Sequence, residues 1–303
     1  MSRHATAKTI AKPFTLKGYG LHKNQPCSVR VVPAEGGGLR FVHTPSKVVI
    51  PAEVDYVGDI SLATTLTKDG VVLQTVEHIL SALYGHGVDH ALIEVDGDEL
   101  PILDGSAEPW ANAIINAGLR SLQTSKSHIK ILRPIEARHG EKWIRISPHS
   151  RLQLNYTINF ANSSIGRQSM KLAVTPNKYQ QELAPARTFC QKSEIEYMHS
   201  RGLALGGNLD NAVVYDGNGC LNDNLRFENE AVRHKMLDLI GDLALLGTHI
   251  VGHIEAYAAG HALHVALVKQ LLSEPDAWVE VESIPTQPST FFRPNYSQEL
   301  ATV

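Results

Sequence analysis

Twice along the chain a helical stretch runs into a glycine, a short apolar strand follows, and a second helix closes the unit. In the first copy residues 75–84 (TVEHILSALY) stop at Gly85, a strand covers residues 91–95, and a helix covers about 107–117. In the second, residues 227–246 (FENEAVRHKMLDLIGDLALL) stop at Gly247, a strand covers 250–257, and a helix covers about 262–272. Glycine after the last apolar turn is a helix stop because it enters the left-handed conformation without a Cβ penalty. Each half also carries an alternating, strand-like segment near its opening, residues 27–32 and 152–160. The polar, serine-rich residues 121–128 lie between the halves and read as a connector. This order of elements is common in α+β proteins and suggests two domains built on one plan, divided at the connector into residues 1–124 and 125–303. Sliding one half on the other pairs Ala82-Leu83-Tyr84-Gly85 with Ala244-Leu245-Leu246-Gly247 but does not superpose His78 on His234. The repeat therefore duplicates scaffold and not chemistry.

At 303 residues the chain is long enough for two domains, each with its own core. A formal net charge of -3 gives no broad basic field, so nucleic acid is not an expected partner. Cys27, Cys190 and Cys220 are odd in number and far apart, which points to reduced thiols in a cytosolic protein. The opening residues lack the apolar core of a signal peptide, and no apolar run is long enough to cross a bilayer. The expectation is a cytoplasmic protein without a transmembrane segment. The chain has 15 histidines, about twice ordinary usage. Of these His4, His43, His139, His149 and His199 sit among polar residues and read as surface. What matters is whether a few of the others converge.

The informative stretch is Arg233-His234-Lys235-Met236-Leu237-Asp238-Leu239-Ile240-Gly241-Asp242. On a helix, positions i and i+4 share a face, so His234 lies one turn from Asp238, and Asp242 one turn further on. An imidazole and a carboxylate so placed can share a metal ion, zinc suiting a mixed N/O set, or form an ion pair on the helix surface. Glu77 and His78 are adjacent, about a hundred degrees apart on a helix. They can border one cavity, the histidine as ligand and the carboxylate aimed at a water, or be an ordinary helical pair. His261, in Gly260-His261-Ala262-Leu263-His264, opens a helix, where the dipole lowers a histidine's pKa unless a carboxylate offsets it. Asp242 is a candidate for that carboxylate and would let His261 act as an acid toward a leaving amine.

Together these segments resemble the UDP-3-O-acyl-N-acetylglucosamine deacetylases, the zinc amidases of lipid A synthesis. Gly18-Tyr19-Gly20-Leu21-His22, Ala63-Thr64-Thr65-Leu66 and Thr75-Val76-Glu77-His78 are similar to the family's successive motifs. So are Pro101 to Ala107 (PILDGSA), Ala186-Arg187-Thr188-Phe189, Leu205-Gly206-Gly207, the segment 233–243 and Gly260-His261-Ala262-Leu263. The resemblance covers nearly the whole chain. It implies an α+β fold of two similar domains, each a β-sheet layered against α-helices, with the active site between the helix layers and His78, His234 and Asp238 as ligands of Zn2+ or, on the same atoms, Fe2+. It also implies Glu77 as general base, and His261 as the protonated acid held by Asp242. Thr188 would help bind the oxyanion and Lys235 would sit near the substrate's charged groups. The implied substrate is a UDP-linked acylated amino sugar, met near the inner-membrane surface by a monomer. A small insert near 190–215 would form an apolar passage for the acyl chain, with Phe189 at its mouth and Ile195 and Leu62 as further contacts; a plain strand–helix–strand packing unit fits its pattern equally.

Several positions depart from the family pattern. Ala258 stands where a lysine usually contacts the diphosphate, a loss of about 1–3 kcal/mol unless another base replaces it. His264-Val265 replace a usual Asn-Asn, Ala161-Asn162 a common His-Pro, and Leu62 a frequent methionine. These changes leave open a relative acting on a different N-acetyl sugar, or a zinc-bearing regulatory protein without catalysis. The second is disfavoured by the presence together of Glu77, Thr188, Lys235, Asp242 and His261.

Overall fold

A computed structural model describes residues 6–282 apart from Asn162 and Asn218; His4 of the surface group and Asn162 of the departures lie outside the described residues. The first half forms a five-stranded sheet from β1 (Phe14–Tyr19), β2 (Pro26–Pro33), β3 (Leu39–His43), β4 (Val48–Pro51) and β5 (Ala91–Val95). The second half builds another from β6 (Ile135–His139), β7 (Lys142–Ser147), β8 (Gln153–Phe160), β9 (Gly166–Ala173) and β10 (His253–Tyr257). The spatial orders are β1-β2-β5-β3-β4 and β6-β7-β10-β8-β9, which is one topology used twice. In both sheets the last strand lies at the centre, antiparallel to the second strand and parallel to the third. Alternation explains these strands: Leu154, Tyr156 and Ile158 of β8 are buried while their neighbours are not.

Helices flank each central strand, α1 (Glu77–Gly85) and α2 (Glu108–Ala117) around β5, then α4 (Glu230–Leu243) and α5 (His261–Ser273) around β10. A shorter helix, α3 (Lys192–Ser200), belongs to the insert. Helix α1 packs directly on α4, so the two helix layers meet and a single apolar core runs through both halves. Every residue of α1 is buried, as expected of a helix covered on all sides. Among the described residues no helix is long and apolar enough to cross a membrane.

The α1–α4 crossing depends on small residues. Ser81 Oγ donates to the Leu237 carbonyl at 2.8 Å, and a Cβ added to Gly241 would overlap the Glu77 carbonyl. That overlap is with backbone, which cannot swing aside. Gly241→Ala is therefore expected to lower stability by about 1–3 kcal/mol by forcing the helices apart, despite alanine's better helix propensity. Thermal or urea unfolding checks this, and an unchanged midpoint would count against the tight crossing.

Four local expectations need correction. Residues 121–128 are not a loop: they belong to the strands Leu119–Ser125, paired with Thr6–Ile10, and Ser127–Ile131, lying between His249–Val251 and Trp278–Glu282. In Leu119–Ser125 only Leu122 is buried, so a strand exposed on both faces carries the composition of a loop. The strand expected over 250–257 is broken at Gly252, whose position leaves no room for a Cβ beside Ile146 and Ile131. Gly85 is the last residue of α1 rather than its stop, and its missing side chain admits the Tyr179 ring; the left-handed turn falls at Gly87 (φ +74°). His43 is buried, with Nδ1 2.7 Å from Ser46 Oγ and Nε2 3.3 Å from Asp98, whereas His139 and His199 are exposed and His149 is half-buried.

Candidate active site

Three helices bring the polar residues to one place. Glu77 and His78 are the first two residues of α1, His234, Asp238 and Asp242 occupy successive turns of α4, and His261 opens α5. Two non-glycine residues before these helix starts hold left-handed backbone, Thr75 (φ 61°) and Ala258 (φ 48°), and both line the cavity described below. Such strain is kept where it aims side chains.

One ligand atom from each of His78, His234 and Asp238 lies within 4.8 Å of the others, and all three residues are buried. His234 Nε2 is 3.3 Å and His78 Nε2 4.0 Å from Asp238 Oδ1, with the two rings edge to face. Ligands about 2.0–2.2 Å from a tetrahedral ion stand about 3.3–3.6 Å apart, so the set fits a divalent ion with little closure. The His-x-x-x-Asp pair is thus not a helix-surface ion pair. The Nδ1 of His234 donates to the Ala186 carbonyl at 3.0 Å, which leaves its Nε2 lone pair facing the cluster. Burial pushes His78 down to about 3 and also lowers His234. For Asp238, burial acts upward but His234, Lys235 and His261 outweigh it, holding the carboxyl well below the usual range. Two neutral imidazoles and a carboxylate are the ionisation states a bound cation requires.

Two further groups flank this set. Glu77 Oε2 accepts from the Thr64 backbone N–H at 3.0 Å, and burial, partly offset by His261, pushes its carboxyl up to about 7. His261 donates from Nδ1 to Asp242 Oδ2 at 2.8 Å, and its Nε2 stands 3.9 Å from Asp238 Oδ2. Burial lowers His261, but the charge and hydrogen bond of Asp242 overcome it and raise the imidazole to about 9. Lys235 donates to Asp238 Oδ2 at 2.8 Å and lies 5.7 Å from the centre of the Phe189 ring. The segment 186–189 is fixed from behind: Arg187 donates from its backbone N–H and Nε to Glu230 Oε1 at 3.0 and 2.9 Å. Thr188 N–H donates to the Gly105 carbonyl at 2.8 Å. Gly105 has φ +84° and lies against the Asn211 carbonyl, which bars any side chain there.

A cavity of about 690 Å³ collects the expected residues Glu77, His78, His234, Lys235, Asp238 and His261 on its wall, together with Thr188, Phe189 and Leu62. Asp242 is behind His261 and does not line it. A second cavity of about 370 Å³, more apolar, is walled by Ile195, Met198, Leu209, Val214 and Leu221, and shares Leu62, Thr188 and Phe189 with the first. The insert is both a strand–helix–strand unit (Phe189–Gln191, α3, Val213–Asp216) and the wall of an apolar cavity, so the two readings of its sequence are compatible. Ile195 lies in this second cavity and not beside the polar cluster.

Some participants had no sequence assignment. Thr64, inside one of the motifs, donates from Oγ1 to Asp242 Oδ1 at 2.6 Å. Tyr156 and His264 extend the hydrogen bonds around Asp242. Arg138, His139 and Lys142, from the β6–β7 hairpin, line the large cavity. Alternation along β8 would mark Tyr156 as inward-facing, while nothing local marks the hairpin cations.

Hydrolysis with Glu77 as base and His261 as acid requires the first ionised and the second protonated. The rate is therefore expected to rise with pH through a limb near 7 and fall beyond about 9. A bound cation would draw both limbs downward. A pH profile of kcat/KM checks this, and a rate still climbing well above pH 9 would remove His261 from the acid role.

Ligand-competent imidazoles and a carboxylate, set beside a carboxyl raised to near neutrality and a histidine raised above it, are the groups a metal-dependent amide hydrolase needs, carried here within an α+β frame. The chain belongs to the UDP-3-O-acyl N-acetylglycosamine deacetylase family, whose profile matches residues 7–273. It is 42% identical over 268 residues to the UDP-3-O-acyl-N-acetylglucosamine deacetylase of Nautilia profundicola, covering 88% of this chain and 92% of that protein. The proteins of the same name from Anaeromyxobacter dehalogenans and Mannheimia succiniciproducens are each 41% identical, over 272 and 278 residues. Those two matches both cover 89% of this chain, and 88% and 91% of the relatives.

Proposed function

We propose that this chain hydrolyses the acetamide of a UDP-3-O-acyl-N-acetylglucosamine, a step of lipid A synthesis, with zinc held by His78, His234 and Asp238. Iron(II) is the other ion suited to these ligands. The observation carrying this reading is the junction of the two cavities: the polar cluster opens into one, and an apolar passage of fatty-chain character meets it at Phe189. An amide and an acyl ester on neighbouring sugar positions fit that junction. In this reading the two units divide at residues 1–124 and 125–303, and the reaction takes place on the cytoplasmic side, at the membrane surface that supplies the acylated substrate.

A divalent ion held by His78, His234 and Asp238 would supply Lewis acidity at this point of the cavity. The chain's own groups do the rest. Glu77 takes a proton from the attacking water as oxygen adds to the carbonyl carbon. The developing negative charge on the carbonyl oxygen is met by the Thr188 hydroxyl and the His261 cation. His261 then gives its Nε2 proton to the sugar nitrogen as the C–N bond breaks, leaving acetate and a free amine. Asp242 keeps the imidazole oriented through Nδ1, and burial of Glu77, Asp238 and Asp242 keeps bulk water from screening these charges.

The missing lysine at Ala258 does not leave the diphosphate end without cations, because Arg138 and Lys142 reach the same cavity from the β6–β7 hairpin. This favours the UDP-linked substrate over an N-acetyl sugar lacking the nucleotide. Acetate release from UDP-3-O-(3-hydroxymyristoyl)-N-acetylglucosamine by the purified protein, with and without a chelator, tests the proposal. Chelator-sensitive turnover that recovers on adding zinc is expected. Equal turnover of a substrate without UDP would move the reading to another N-acetyl sugar, and no release by metal-loaded protein would overturn it.

A further inference from the structure

Asp242 is shared. Its Oδ2 accepts from His261 Nδ1 at 2.8 Å and from His264 Nδ1, also at 2.8 Å, while its Oδ1 accepts from Thr64 Oγ1 at 2.6 Å. The far side of His264 is closed by Tyr156, whose hydroxyl lies 2.8 Å from Nε2. Asp242, His264 and Tyr156 are all fully buried. The donor–acceptor inventory then has one self-consistent solution. A carboxylate only accepts, so both imidazoles carry a proton on Nδ1; burial disfavours a second charge on His264, so its Nε2 is a lone pair and Tyr156 O–H donates to it.

These same atoms could be mistaken for a second metal site, since Asp242, His261 and His264 also present a compact donor set. The hydrogen bonds argue otherwise. Both Nδ1 atoms are at hydrogen-bond distance from one oxygen, and the remaining nitrogen of His264 is occupied by Tyr156. No lone pair of His264 is free to face a cation.

We propose that His264, anchored by Tyr156, is a positioning residue for the deacetylation: its Nδ1–H fixes the Asp242 carboxylate so that this carboxylate in turn holds His261 with Nε2 toward the reacting amide. The inference rests on the deacetylase reading for its kinetic consequence but not for its geometry. With His261 alone Oδ2 would carry a single donor, whereas a second donor from His264, with Thr64 on Oδ1, fixes the carboxylate plane at three points. His261 and His264 sit three residues apart on the first turn of α5, so they reach the carboxylate from one helix face. An asparagine amide nitrogen at this position would take the place of the histidine Nδ1 and supply the same donor. What histidine adds is the second arm, braced by the Tyr156 hydroxyl on β8.

The test compares His264→Asn with His264→Gln in the metal-loaded full chain. Asparagine reproduces the Nδ1 donor and glutamine reproduces the Nε2 arm, so the two separate hydrogen bonding to Asp242 from filling of the site. The expected result is kcat within about fivefold of the parent for His264→Asn, and a fall of about 10–100-fold for His264→Gln, with KM and metal content unchanged in both. Equal kcat in the two variants, whether high or low, overturns the proposal. Histidine-ring ¹⁵N NMR of the parent protein gives an independent reading: His264 protonated on Nδ1 with an unprotonated Nε2, the latter shifting in Tyr156→Phe. A neutral His264 protonated on Nε2 would refute the assignment whatever the kinetics. If the parent chain does not deacetylate, the functional reading fails while the NMR result still decides the hydrogen-bond network.

Discussion

Replacing Glu77 with glutamine is expected to lower kcat for acetate release by about 10²–10⁴-fold while leaving the metal in place. The two side chains have the same shape. Glutamine can keep its carbonyl oxygen on the Thr64 N–H, which Glu77 Oε2 accepts at 3.0 Å, so the N-terminal turn of α1 and the neighbouring His78 need not move. What is lost is the capacity to take a proton. Glu77 suits that task because burial lifts its carboxyl to about 7, near the pH at which a proton can be both accepted and passed on. Steady-state acetate release combined with metal analysis of the variant checks the point. Turnover close to that of the parent would assign the base elsewhere, and loss of metal would make Glu77 a ligand rather than a base.

The polar centre was largely legible in the sequence because its spacing on helices is short-range information. His234, Asp238 and Asp242 fall on one face of α4 by arithmetic, and Glu77 with His78 by adjacency. The halves of the fold were legible for the same reason, each helix–glycine–strand–helix run being continuous in the chain. What could not be read was set by contacts between distant segments. Ala186 offers its carbonyl to His234 across 48 residues, and Thr64 reaches Asp242 across 178, with no local pattern to announce either. Nothing local marked the hairpin cations Arg138 and Lys142, and only the tertiary arrangement puts them on the cavity wall. The serine-rich stretch was misread because polarity reports exposure, not backbone conformation: Leu119–Ser125 is a ribbon strand with a single buried residue. Gly85 was misjudged in the opposite sense, a close-packing glycine against Tyr179 that imitates a stop signal two residues early.

Removing the carboxylate of Asp238 should abolish both metal binding and turnover, and the comparison with Asp242 shows why the two aspartates differ. Both are buried on α4, one turn apart, and both are held ionised against burial by neighbouring cations. Asp238 stands 3.3 Å from His234 Nε2 and 4.0 Å from His78 Nε2, and it is the one anion of the ligand set. Without it, two neutral imidazoles face a dication beside the Lys235 ammonium and the protonated His261, and the local charge repels the ion. Asp238→Ala is expected to retain almost no metal after dialysis and to show background activity. Excess zinc should restore little, since the charge balance and not only one ligand is gone. Among the described residues the Asp242 carboxylate hydrogen-bonds Thr64, His261 and His264 and none of the three proposed ligands, so Asp242→Ala should keep its metal and still lose most of its turnover, because the His261 proton and orientation depend on it. Metal stoichiometry measured on both variants separates the cases. An Asp238→Ala protein that retains a full equivalent of metal would move the ion to other ligands, and an Asp242→Ala protein that loses it would join the two hydrogen-bonded sets into a single metal centre.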